Sequence, residues 1–177
     1  LLGEHHTAAD NFVSASRSYT QAAEKISQLK DFYESHALYM EAWSEIEKAM
    51  LHHRRQEYGL AKEHYEKVAT MHKSLKQWSC LSPNYSAWAQ VENAEDLSRK
   101  EQSEEAKQAF EQAAEWFRET KESLQTAQGK MESYDEKTMA TNIIKASDLR
   151  REYCSGRIAL EEARTLDKKG DHYASSE

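Results

Sequence analysis

A single proline, Pro83, and five glycines serve a chain of 177 residues. Average usage would supply roughly a dozen glycines and about nine prolines, so turns must be few and the elements between them long. Sandwiches, barrels and Rossmann-type α/β folds all need many turns and are disfavoured on that ground, as is Pro/Gly-rich disorder. The expectation is an all-α chain. Its length suits one ordinary domain over residues 1–177.

Apolar residues recurring at three- and four-residue steps locate the helices. The strongest pattern runs from Ser103 to Tyr134 through Ala106, Ala109, Phe110, Ala113, Trp116, Phe117, Thr120, Leu124, Ala127 and Met131. Ser103, with Glu104 and Glu105 behind it, is the expected cap. A longer pattern follows from about Glu136 to Lys169 through Met139, Ile143, Ala146, Leu149, Tyr153, Gly156, Ala159, Leu160, Ala163 and Leu166. Gly156 costs about 1 kcal/mol in helix propensity, which fits either close approach of a neighbouring helix or a tolerated kink. Upstream, Thr7 to Ser27 carries Ala8, Phe12, Ala15, Tyr19, Ala22 and Ile26, and Lys30 to Arg55 carries Tyr33, Ala37, Met40, Trp43, Ile46 and Met50. Glu57 to Trp78 carries Ala61, Tyr65, Val68 and Leu75, and another helix is expected from about Tyr85 to Lys100. The stretch 79–84, which holds Pro83, reads as the one clear loop. The total is six helices and the start of a seventh.

A small residue, an aromatic four on and a small residue three beyond recur along the chain. With Ala8, Ala61, Ala106 and Ser175 in one column, Phe12, Tyr65 and Phe110 align, then Ala15, Val68 and Ala113, then Tyr19, His72 and Phe117. Gly3 to Asp10 also matches Gly170 to Glu177, sharing Gly3 with Gly170 and His5 with His172. Repeat boundaries are therefore expected near residues 56, 101 and 170. The stretch Ser103 to Ala114 resembles the second helix of a tetratricopeptide repeat, and Ala94 with Leu97, like Ala163 with Leu166, stands where that family's first helix has a small residue followed by a large one. The columns are spaced more widely than the family's roughly 34 residues, the first-helix positions near Gln90 and Asn93 are polar, and the terminal proline is missing. The resemblance implies a right-handed solenoid of antiparallel helix hairpins whose concave side binds a protein or peptide.

Charge and motifs narrow the function classes. A net charge of -7 repels nucleic-acid phosphates and anionic lipid and favours a basic partner. The basic run His52-His53-Arg54-Arg55 reads as a helix C-terminus. No apolar run approaches the roughly 18 residues that span a bilayer, and the start carries no signal-peptide pattern, so neither membrane nor nucleic acid is an expected partner and the cytoplasm is the expected location. With neither an initiator Met nor a terminating signal, the chain is expected to be part of a longer one.

Cys80 and Cys154 lack the number and spacing of a disulfide framework or zinc site and are expected to be reduced. The sequon Asn84-Tyr85-Ser86 reads as a chance match without a secretory signal. Eight histidines raise a metal hypothesis, but no Glu-x-x-His step and no pair four apart occurs; His64 and His72 lie eight apart, a spacing compatible with one face, and Glu63 and Glu66 nearby read equally well as solvated surface. Glycine-rich phosphate loops and strand-to-helix turns for a nucleophile are missing too. The expectation is no catalysis, cofactor or metal. Trp43, Trp78, Trp88 and Trp116 are the residues best able to anchor a partner, with core packing the first expectation for Trp116. The reading is a protein-interaction scaffold that self-associates through exposed repeat ends. Its alternatives are a closed helical bundle holding a small molecule or metal, and a structural spacer in a multidomain signalling protein.

Overall fold

The computed structural model describes residues 2–170, and all regular structure among them is helical. Six α-helices follow in order: α1 (Leu2–Lys25), α2 (Lys30–Arg54), α3 (Tyr58–Ser74), α4 (Ser82–Arg99), α5 (Ser103–Gln128) and α6 (Tyr134–Lys168). Single turns of 3-10 helix lie at Ser27–Leu29 and Ser79–Leu81. The expected seventh helix, with Ser175 and His172, falls outside the described residues.

Where the sequence reads as one domain, the chain divides after Tyr85 into two compact units. Each has its own apolar cluster, which is the physical mark of a separate unit. In the first, α2 lies against both α1 and α3. Pairs between α1 and α2 run in opposite order along the two helices: His5 with Glu47, Phe12 with Trp43, Ser16 with Glu41, Tyr19 with Tyr33. Ala42, Ile46 and Val68 form the centre, with Trp43, Met50, Met71 and Tyr85 around them. Because α2 is covered on two sides, it buries Ala37, Ala42, Ser44, Ile46 and Ala49, more positions than one amphipathic stripe supplies.

The second unit is built on α5, the most amphipathic of the helices. Phe110, Ala113 and Phe117 are fully buried with Ala87, Val91, Ala94 and Cys154, and Trp88, Leu97, Trp116 and Ile158 close the rim. Contacts between α5 and α6 also run in opposite order, from Lys107 with Glu162 through Lys121 with Asp148 to Gln128 with Thr141.

Three described residues have positive φ: Gln56 at 58°, Glu101 at 58° and Gly170 at 78°, one near each place where the repeat columns restart. The first two turns share a hydrogen-bond pattern. Glu57 N–H donates to His52 and Gln102 N–H to Leu97, five residues back, and the next helices open with Ala61 N–H to Glu57 and Ala106 N–H to Gln102. The left-handed conformation penalises any residue with a Cβ. Gln56→Gly and Glu101→Gly should each therefore stabilise the chain by up to about 1 kcal/mol, the relief exceeding the extra freedom of an unfolded glycine. Urea midpoints would show it, and a lower midpoint in both variants would mean these turns are not strained.

Several local expectations change. Residues 79–84 are not a loop: Ser79–Leu81 is a helical turn and α4 begins at Ser82, with Pro83 in its first turn, where a missing N–H breaks no helical bond. Ser103 is not the cap of α5. That position is Gln102, without a side-chain cap bond, while Ser103 is buried in the first turn. The α5 pattern ends at Gln128, so Met131 lies in the connection and Tyr134 opens α6. In α1 the buried seam is Ala9, Ser16 and Ala23, one residue on from the expected Ala8, Ala15 and Ala22, which are half-buried.

Candidate functional site

α6 places its residues contrary to the usual economy of an amphipathic helix. Its buried positions are Ala140, Ser147, Cys154 and Glu161, spaced seven apart and small or polar. Ile158 packs on the core rim, but several other large side chains lie outside: Leu149 is 66% exposed, Tyr153 46% and Leu160 43%. Two causes combine. Close approach to α5 admits only small side chains along the seam, and at its far end a buried carboxylate, Glu161, pairs with Arg157 and Arg164 where a leucine would otherwise sit. The apolar period named from sequence therefore marks the wrong face of this helix for the core. An added Cβ at Gly156 would meet nothing within 4 Å, so no described helix approaches there.

The outward face of the first half of α6 forms an open groove of about 460 Å³, lined by Asp135, Thr138, Met139, Asn142, Ile143, Ala146 and Arg150. Met139, Ile143 and Ala146 make a half-buried apolar floor. At one end the Arg150 guanidinium lies 5.0 Å from the Trp88 ring centre and 5.6 Å from that of Phe117. Trp88 meets Phe117 edge-on. Trp88, under the Arg150 guanidinium, and Trp116 rim the core, while in the first unit Trp78 stacks on Tyr39 and Trp43 on Phe12.

Further along α6, a polar cluster joins it to α4. Glu161 accepts from Ser98 at 2.6 Å and from Arg164 at 2.8 Å, with Arg157 at 3.7 Å; its Oε2 has no hydrogen-bond partner among the described residues. Arg157 donates to Glu95 and to Tyr153 Oη and lies 4.7 Å from the Phe110 ring centre. Burial works against the Arg157 charge, yet pairing with Glu95 outweighs it and raises the pKa further. Burial and the Glu95 carboxylate push Tyr153 up to about 12. Arg157 and Tyr153 therefore both keep their protons through the neutral range.

The first unit is richer in histidine. His5 pairs with Glu47 at 2.5 Å, His52 with Glu57 at 2.6 Å and His64 with Glu45 at 2.7 Å; the His52 and His64 rings stack at 5.2 Å. Burial works against the Glu45 charge, but hydrogen bonds from Lys48 and His64 outweigh it and hold the carboxyl below its ordinary value. Beside these pairs a groove of about 280 Å³ is lined by Val13, Ser16, Arg17, Glu41, Ser44, Glu45, Lys48 and Met71. His64 and His72, the pair singled out from spacing, go separate ways. His72 is buried between Tyr39 and Tyr85, its Nδ1 3.0 Å from the Val68 carbonyl. Among the described residues no three of His, Cys, Asp and Glu stand where they could hold one metal ion.

Cys80 and Cys154 are free thiols. Burial raises both, Cys154 to about 11, so neither supplies a thiolate near neutrality. Asn84 of the sequon is buried. No described helix is long and apolar enough to cross a membrane. The residues that sequence reasoning missed are Arg157, Glu161 and the groove face of α6. The sevenfold spacing of Ala140, Ser147, Cys154 and Glu161 was the available signal. Compared with protein-family models, curated proteins and solved structures, the chain matches none of them.

Proposed function

We propose that the chain is a protein-interaction scaffold, an antiparallel helix-hairpin array of tetratricopeptide kind that acts by presenting a surface and performs no chemistry of its own. The observation that carries this is the inversion of α6, which spends small and polar residues on its buried seam and keeps Met139, Ile143, Leu149, Tyr153 and Leu160 for the outward side. Apolar side chains kept half-buried or exposed on the outward side of a helix that has a core to reach are the signature of a docking face.

The repeat reading is supported by the matching turns at Gln56 and Glu101 and by burial of Ala61, Tyr65, Val68 and His72 in α3 at the register of Ala106, Phe110, Ala113 and Phe117 in α5. In such an array the docking side is the concave one, and the partner is a protein or peptide, with basic character favoured by the net charge of -7. The free thiols suit a reducing compartment such as the cytoplasm.

Affinity capture from the native host's lysate tests this. The wild-type chain should retain one stoichiometric protein through a moderate salt wash, and a Leu149→Arg/Leu160→Arg variant of unchanged helicity should retain at least about tenfold less. Nothing retained, with a sound positive control, would replace the scaffold with a spacer.

A further inference from the structure

The groove on the first half of α6 is complementary to itself. Asp135 stands at one end and Arg150 at the other, about 22 Å apart along the helix. The two are equally distant from the midpoint between Asn142 and Ile143, and so are Met139 and Ala146. Turning the helix end over end about that midpoint exchanges acid with base and a long side chain with a short one.

We propose that this face pairs antiparallel with the same face of a second copy of the chain, on a two-fold axis between Asn142 and Ile143. Asp135 of each copy then stands level with Arg150 of the other, and Met139 extends into the space left by Ala146. Each contact is made twice, as in any isologous interface. Asn142 of both copies meets near the axis, where a polar residue in an apolar seam selects register. A parallel pairing instead sets Asp135 beside Asp135 and Arg150 beside Arg150, so the charge pattern rejects it.

The inference rests on α6's outward face being a docking surface and names its occupant over residues 135–150. A foreign protein needs no such palindrome; a second copy does. The remaining stripe at Leu149, Tyr153 and Leu160 stays outside the central contact. A strip of this length falls below a standard interface area, which makes the dimer weak and reversible.

Sedimentation equilibrium of the full chain, from about 10 µM to about 1 mM, reads this directly. The mass should rise with concentration from the 20.5 kDa of one chain towards twice that value. Asp135→Arg and Arg150→Asp, each alone, should weaken association at least about tenfold. An equimolar mixture of the two should recover it, because each introduced charge then meets the other and the two native residues meet across the same axis. Arg150 also lies on Trp88 and Phe117, so Ile143→Arg serves as a second variant that leaves both charges in place and should abolish the dimer with helicity unchanged.

A wild type monomeric over the whole range overturns the proposal and leaves capture through Leu149 and Leu160 to be judged separately. Self-association that survives both Asp135→Arg and Ile143→Arg overturns it as well and moves the contact elsewhere, the repeat ends included. Two well-folded charge variants that fail to rescue each other rule out the antiparallel register.

Discussion

Arg157→Met is expected to lower the unfolding free energy of the second unit by about 3 kcal/mol, at the lower end of the roughly 3–5 kcal/mol seen when one member of a buried ion pair is removed. Methionine keeps an unbranched apolar stem of similar length but loses the guanidinium that lies on Phe110, so most of the loss is electrostatic. Glu161 is fully buried and would retain only Ser98 and the more exposed Arg164; Glu95 would lose its guanidinium partner. Removing Glu161 is milder, because Arg157 would still have Glu95. Converting both residues, as Arg157→Met/Glu161→Leu, should cost less than the two single changes added together, since Glu161 is then no longer left as a stranded buried charge, although Glu95 still loses Arg157. Hydrogen exchange of α4 and α6 amides in mild urea measures this in the intact chain. A loss below about 1 kcal/mol would mean that the cluster behaves like an exposed ion pair.

His72→Phe should remove an acid sensitivity from the first unit. Burial between Tyr39 and Tyr85 lowers the His72 pKa, the hydrogen bond to the Val68 carbonyl opposing it only in part. The folded state therefore binds this proton less readily than the unfolded chain, whose histidine titrates near 6.5. Between that value and the lower folded one the unfolded chain carries more protons, so stability falls as pH falls, by at most about 1.4 kcal/mol per pH unit for one group. Above the unfolded value His72 contributes no slope. Phenylalanine is the residue that α5 carries in the same column, as Phe117, and it fits an aromatic cage without a titrating nitrogen. Urea midpoints at about pH 7.5, 6 and 5 should diverge downward for the wild type relative to the variant. The pairs of His5, His52 and His64 with their glutamates are present in both proteins, so the difference isolates His72; equal slopes would place its protonation in contact with solvent.

The all-helical class, the approximate helix spans and the columns through Ala61, Tyr65 and Phe110 were legible in the residues, because turn-former scarcity and apolar period are local quantities. The end of α2 at the basic run was legible for the same reason. Which face of α6 meets the core was not. The rule that large apolar residues go inside fails where α5 comes close enough to exclude them and a buried carboxylate finds two guanidinium groups. Pro83 misled in a related way, since its effect depends on whether it falls in the first turn or further along a helix. Ser103 looked like a cap, but the residue before it takes that position and its own side chain is buried.

The sequence alone determined that this chain would form long helices with few turns, and that small and aromatic residues would alternate along them. Those properties depend on each residue and its near neighbours, within a turn or two of helix. Only the tertiary structure decided that Arg157 and Glu161 meet Glu95 and Ser98 from α4, that His64 joins Glu45 while His72 enters an aromatic cage, and that Met139, Ile143 and Leu149 remain on the outer side. Each of these turns on distance between segments far apart in the chain, and a helical period contains no information about which neighbour will arrive or how closely it will pack.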